Sequence, residues 1–128
     1  MSLFHFSLDL MKLLSYYYDI INMGRSKKEA FSKSQNRLAD LAKGLAHPAR
    51  IAILEFLAKQ TACICGDIVD EIPLSQASVS QHLAELKRIG LIKGEIEGPR
   101  VCYCIDSEAW SEAKRLLSRF LTDVKNCC

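Results

Sequence analysis

The stretch SQASVSQHLAELKRIGLI, Ser75 to Ile92, decides how the rest of the chain is read. Ser75 is a residue type whose hydroxyl accepts from the free N–H groups at a helix start. Gly90 stands where helices commonly end in a left-handed residue. Between them Val79, Leu83 and Leu86 recur at helical spacing, which predicts a helix over Gln76–Ile89 with one packing side. A step of about 100° per residue puts Ala77, Gln81, Ala84 and Arg88 on the opposite side, flanked by Ser78 and Glu85. That face is small and hydrogen-bonding near its start and basic near its end, a shape the roughly 12 Å major groove of DNA accepts.

The neighbours on either side agree with this assignment. Upstream, Asp67–Ile72 predicts a two-turn helix with Ile68, Val69 and Ile72 inward, stopped by Pro73. Two helices separated by a tight turn make a helix-turn-helix. Downstream, Lys93–Glu97 and Val101–Asp106 read as strands joined by the turn Glu97-Gly98-Pro99-Arg100, so a hairpin wing succeeds the second helix. Further out, Leu38, Leu41, Ala42 and Leu45 predict an amphipathic helix over Lys33–Ala46. His47-Pro48 restarts the chain with Pro in the favoured first turn of a buried helix reaching about Lys59. Ser107 is expected to cap a last helix to about Val124, with Trp110, Ala113, Leu117, Phe120, Leu121 and Val124 on one stripe. The predicted fold is mainly α with a small β-wing, a winged helix-turn-helix domain over residues 24–128 with dimerising terminal helices.

Residues 1–23 differ in character from the rest of the chain. MSLFHFSLDLMKLLSYYYDIIN is apolar and aromatic, but Asp9, Lys12 and Asp19 interrupt every run, so no stretch approaches the roughly 18–20 apolar residues of a membrane span. A basic start and a small-residue cleavage site are also missing, which disfavours a secretory signal. The segment is read as an N-terminal extension ahead of Met23, or else as an added amphipathic helix covering part of the fold. The expected compartment is the cytoplasm, where cysteines stay reduced and act as thiols or metal ligands.

At 128 residues the chain makes one domain, and its net charge of +2 indicates no partner by itself. Gly24–Arg50 carries seven Lys or Arg against Glu29 and Asp40, either a basic arm near phosphates or a solvated helix face. Thr61–Asp106 holds four Lys or Arg against seven Asp or Glu, so the case for double-stranded DNA rests on architecture. Gln76, Ser78, Gln81 and His82 are the candidates for base edges, Arg88 with Lys87 for phosphates, and Arg100 at the wing tip for the minor groove or backbone. Two of these carry a second reading: His82 as a half-buried histidine and Arg100 as a solvated loop residue. Glu85 is expected to face solvent or pair with a cation. An enzyme is disfavoured: there is no Cys-x-x-Cys at a helix start, no phosphate loop and no supported carboxylate pair.

LAHPARIAILEFL (Leu45–Leu57), then SQASVSQHLAELKRIGLI, then the wing, resemble the ArsR/SmtB family of small metal-responsive bacterial repressors over about Asn36–Asp106. The resemblance implies a homodimer built from the first and last helices and an operator that is released when an effector binds. Cys63-Ile64-Cys65 sits where arsenic-sensing members carry a Cys-x-Cys within a motif like ELCVCDL, but no third cysteine comes after it in the same helix. The family's other common site, His and carboxylates on the last helix, is absent because Asp106–Val124 contains no His.

All six cysteines fall in doublets: Cys63/Cys65, Cys102/Cys104 and Cys127/Cys128. In an extended segment residues two apart share a face, roughly 7 Å apart. If Thr61–Cys65 pairs with Val101–Ile105, facing cysteines lie about 4.5–5.5 Å apart between β-carbons, and Cys63, Cys65, Cys102 and Cys104 offer three or four thiolates to one soft ion. The expected effector is As(III) or Sb(III), or another soft metal ion, with no resident cofactor. The competing readings are small buried hydrophobes and a redox switch that closes a cross-strand disulfide. Cys127-Cys128 is either a third ligand from the other subunit or a tail.

Overall fold

The computed structural model describes residues 10–17, 28–66 and 68–125. The chain divides into two compact units, Met1–Asn36 and Arg37–Cys128. In the first, residues 10–17 are helical and Leu10, Met11, Leu13, Leu14, Tyr16 and Tyr17 are all exposed. The remainder of the expected extension, and Cys127-Cys128, lie outside the described residues. A 3-10 turn at Lys28–Ala30 precedes helix α1, Lys33–Leu45. Ser32 and Gln35 cap that helix reciprocally: the Ser32 N–H donates to Gln35 Oε1 at 2.9 Å, and the Gln35 N–H donates to Ser32 Oγ at 3.1 Å.

Helix α2 spans Pro48–Ala58, α3 Ile68–Glu71 and α4 Gln76–Ile89; strands β1, Ile92–Glu97, and β2, Arg100–Ile105, form the wing; α5 spans Ser107–Asp123. The order is the predicted one. His47 caps α2, its Nδ1 accepting from the Ala49 N–H at 3.1 Å, with Pro48 in the first turn. Ser75 Oγ accepts from the Ser78 N–H at 3.2 Å, and Gly90 ends α4 at φ 91°. Two expectations are corrected. Helix α3 ends at Glu71 rather than Ile72, although Ile72 is still buried; Asp67, its expected first residue, lies outside the described residues. Asp106, not Ser107, caps α5, accepting from the Ala109 N–H at 3.0 Å.

One core holds these elements in place. Leu41 of α1, Ile53 of α2, Val79 and Leu86 of α4, and Leu91 beside β1 have no exposed surface. α2 packs on α4, and α4 packs on β1, so α4 is braced from both sides. Arg37 ties the ends together: Nη1 donates to the Ile89 carbonyl at 2.7 Å, while Nε and Nη2 hold both oxygens of Glu112 at 3.1 Å. This fork matches the planar geometry of a carboxylate.

Strands β1 and β2 are antiparallel, with Lys93 opposite Cys104, Glu95 opposite Cys102 and Glu97 opposite Arg100. The extended piece before α3 joins this hairpin through one antiparallel bridge, Ile64 to Tyr103. Both bridge hydrogen bonds form, Ile64 N–H to the Tyr103 carbonyl at 2.8 Å and the reverse at 2.9 Å.

Candidate nucleic-acid interface and thiol seam

Helix α4 presents Gln76, Ala77, Ser80, Gln81, Ala84, Lys87 and Arg88 to solvent, while Val79, Leu83, Leu86 and Ile89 face the core. Gln76 and Gln81, two of the residues expected at base edges, are exposed on this face. Ser78 is half-buried and its hydroxyl accepts from that of Ser75 at 3.0 Å, so it belongs to the cap. Arg88 is exposed but forked onto Glu85 at 2.7 and 2.9 Å, the cation pairing anticipated for that carboxylate. Arg100 is exposed and opens β2 directly after the turn. The face also includes Ser80, which was not among the expected residues although it sits one turn from Gln76 and Ala77.

His82 has side-chain neighbours. It is half-buried, its ring lies 4.3 Å from that of His47, and its Nδ1 is 3.4 Å from Arg50 Nη1. Arg50 in turn donates to the Gly44 carbonyl at 2.7 Å and to the Lys43 carbonyl at 2.8 Å, closing the end of α1. Two cations of the basic segment, Arg37 and Arg50, thus serve internal contacts. Burial, and then His47 and Arg50, hold the His82 imidazole below its usual value. In the acidic window the unfolded chain then binds more protons than the folded one, so stability rises with pH. The loss begins as pH falls through about 6.5, the unfolded value, and is complete below the lowered folded value. Thermal melts between about pH 7.5 and pH 5.5 should show a steeper decline for the native protein than for His82→Asn. Equal slopes would remove the assignment. Glu85 and Glu112, each held low first by its arginine hydrogen bond, add stability above about 4.5 that is lost on further acidification.

The cysteines meet at the seam between the helix-turn-helix and the wing. In an antiparallel ladder, positions flanking a doubly hydrogen-bonded pair face each other without backbone bonds, at Cα separations of about 4.5 Å. Cys63 and Cys104 occupy one such position, with Cα atoms 4.5 Å apart, and Cys65 and Cys102 the other, 4.1 Å apart. In both pairs the Sγ atoms are at bonding distance and close a cross-strand disulfide, where separate thiols were expected. The pairing itself explains this: it sets the cysteines directly opposite each other on one face. Cys102 is buried, while Cys63, Cys65 and Cys104 are half-buried. Two carboxylates border the seam. Glu95 lies with Cys63 and Cys104, and Glu97 with Cys65 and Cys102, each set of three donor atoms falling within 4.8 Å. Glu97 Oε2 is 3.8 Å from both Cys65 Sγ and Cys102 Sγ.

A family model described as bacterial regulatory protein, arsR family, matches residues 47–93, from the cap of α2 through α4 into β1. An uncharacterised HTH-type transcriptional regulator of Mycobacterium tuberculosis is 33% identical over 89 residues, covering 66% of this chain and 78% of that one. The chain belongs to the ArsR family. A homologue of the cadmium resistance transcriptional regulatory protein CadC from Staphylococcus aureus is 31% identical over 101 residues, covering 78% of this chain and 81% of that one. Among solved structures, HlyU from Vibrio cholerae N16961 aligns with a TM-score of 0.56 at 29% identity, over 73% of this chain and all of that one. As an ArsR-family member the protein is a DNA-binding transcriptional regulator and not an enzyme. Among the described residues, no helix is long and apolar enough to cross a membrane.

Proposed function

We propose that this ArsR-family protein is a cytoplasmic repressor that releases its operator when a thiophilic ion is captured by the seam cysteines. One observation supports this above the rest: four cysteine side chains are gathered where the entry to the helix-turn-helix meets the wing. Cys65 stands three residues ahead of α3, and Cys102 two residues beyond Arg100. In the protein with both pairs reduced to thiols, capture of an ion by facing thiolates, with release of the thiol protons, widens the seam and tilts the wing against α4. Gln76, Gln81 and Ser80 are then the base-facing set, and Lys87, Arg88 and Arg100 the phosphate set. The exposed Phe120, Leu121 and Val124 of the α5 region supply the apolar face of a homodimer. As(III) and Sb(III) remain candidates, alongside soft divalent ions, and the named role of the CadC homologue supports the metal reading by analogy.

A second reading has its own support. Both facing pairs are closed as disulfides across the seam, so oxidation of two thiol pairs is an alternative trigger. Mobility of a promoter fragment separates the two. With the protein kept reduced by a phosphine, arsenite or cadmium should release the fragment and an added thiol-specific oxidant should be unnecessary. Release by a thiol oxidant but by no ion would overturn the metal reading in favour of the redox one. Operator binding itself should weaken steeply with salt, as phosphate contacts require.

A further inference from the structure

The seam does not offer one four-sulfur cage. The two sulfur pairs flank the Ile64–Tyr103 bridge, so they are separated along the strands by two residues, about 6.5 Å. Tetrahedral donors on a zinc-like ion, with metal–sulfur bonds of about 2.3 Å, stand only about 3.8 Å apart. Drawing all four sulfurs onto one ion would require each Cys-x-Cys to bring its own two sulfurs about 3 Å closer along its strand. Contraction of both segments buckles the Ile64 and Tyr103 backbone between the cysteines, where the two bridge hydrogen bonds are 2.8 and 2.9 Å long. Within a pair no such buckling is needed, because after reduction the facing sulfurs reach the required spacing by side-chain rotation and a small widening of the seam.

Each pair already has a third donor. Glu95 and Glu97 share the face of Cys102 and Cys104 because all four obey the period-two alternation of the hairpin. Each carboxylate lies within 4.8 Å of the two sulfurs of its own pair. Both are exposed, which leaves room for a water to complete four-coordination. Two thiolates and one carboxylate suit a borderline-soft divalent cation such as Zn(II) or Cd(II), whereas a trivalent metalloid takes three sulfurs.

From this geometry we infer that the seam binds two divalent soft cations per chain, one at Cys63–Glu95–Cys104 and one at Cys65–Glu97–Cys102. The inference rests on the ion-release reading above and names its effector class and stoichiometry. Coordination neutralises most of the charge that two thiolates and a carboxylate bring to each centre. Binding releases the thiol protons, so affinity falls with acidification.

The test uses the full chain carrying Cys127→Ser and Cys128→Ser, reduced and oxygen-free, titrated with Cd(II) alone. Sulfur-to-cadmium absorption and metal content should both saturate at two ions per chain. Glu95→Gln should weaken one of the two steps about tenfold or more while sparing the other, and Glu97→Gln should do the converse. Saturation at one ion, with four sulfurs by X-ray absorption and indifference to both glutamine variants, would overturn the two-centre arrangement while leaving ion release intact. No cadmium binding at all would remove both.

Discussion

Replacing Leu86 with alanine is expected to destabilise the protein by about 2–5 kcal/mol, a large share of the 5–15 kcal/mol typical of a small domain. Leu86 has no exposed surface and lies on the inner side of α4, which packs against both α2 and β1. Truncation there removes apolar contact and leaves a cavity whose walls, drawn from three elements, cannot all collapse. The backbone role of the residue survives, since its carbonyl still accepts from the N–H groups of Gly90 and Leu91 at 3.1 Å. Urea unfolding is the measurement, and the midpoint should drop with little change in slope. Ile96→Ala, at a wing position 82% exposed, should stay within about 0.5 kcal/mol of the native protein and serves as the control. A loss below about 1 kcal/mol at Leu86 would mean that α4 is not braced as described.

That bracing is legible in the amino-acid sequence, because it is written in local signals. Ser75, Gly90 and a 3.6-residue apolar repeat specify α4 without reference to distant residues. The cap of α5 is harder: Asp106 and Ser107 are both good capping types, and the choice depends on where β2 stops pairing. Ile105 still pairs with Ile92, and the Asp106 N–H still donates to the Leu91 carbonyl, so the chain turns helical one residue earlier than Ser107 would allow as cap. Arg37 and Arg50 count as part of a basic segment, yet Arg37 meets Glu112, 75 residues away, and Arg50 closes a helix end. Partners so distant exist only once the chain is folded. The Cys-x-Cys parity announces a shared face, but the match of Cys63 to Cys104 depends on a register set by one bridge. A slip by one residue would have turned every sulfur to the other side. Glu95 and Glu97 were not among the expected ligands, although their signal is present: counting outward from the Gly98-Pro99 turn places Glu95 opposite Cys102.

The double variant Cys63→Ser/Cys65→Ser is expected to bind its operator within about twofold of the native protein and to lose ion-induced release. Allosteric couplings of about 1–3 kcal/mol correspond to a roughly five- to 150-fold weakening of operator affinity in the native protein. In the variant the ratio with and without ion should fall below about two, because each pair keeps a single sulfur and cannot bridge the seam. The choice of positions matters. Cys63 and Cys65 are half-buried, so serine hydroxyls there retain access to water. Cys102 is 1% exposed, and a hydroxyl placed there without a partner would cost about 1–3 kcal/mol and confuse a loss of sensing with a loss of fold. Neither substituted residue lies on α4 or carries charge, so the DNA-facing set is untouched. Fluorescence anisotropy of a labelled promoter fragment, read with and without Cd(II) under phosphine reductant, gives both affinities in one experiment. If cadmium still weakened operator binding tens-fold in this variant, the response would have to originate away from the seam, and the cross-strand sulfur pairs would have no part in it.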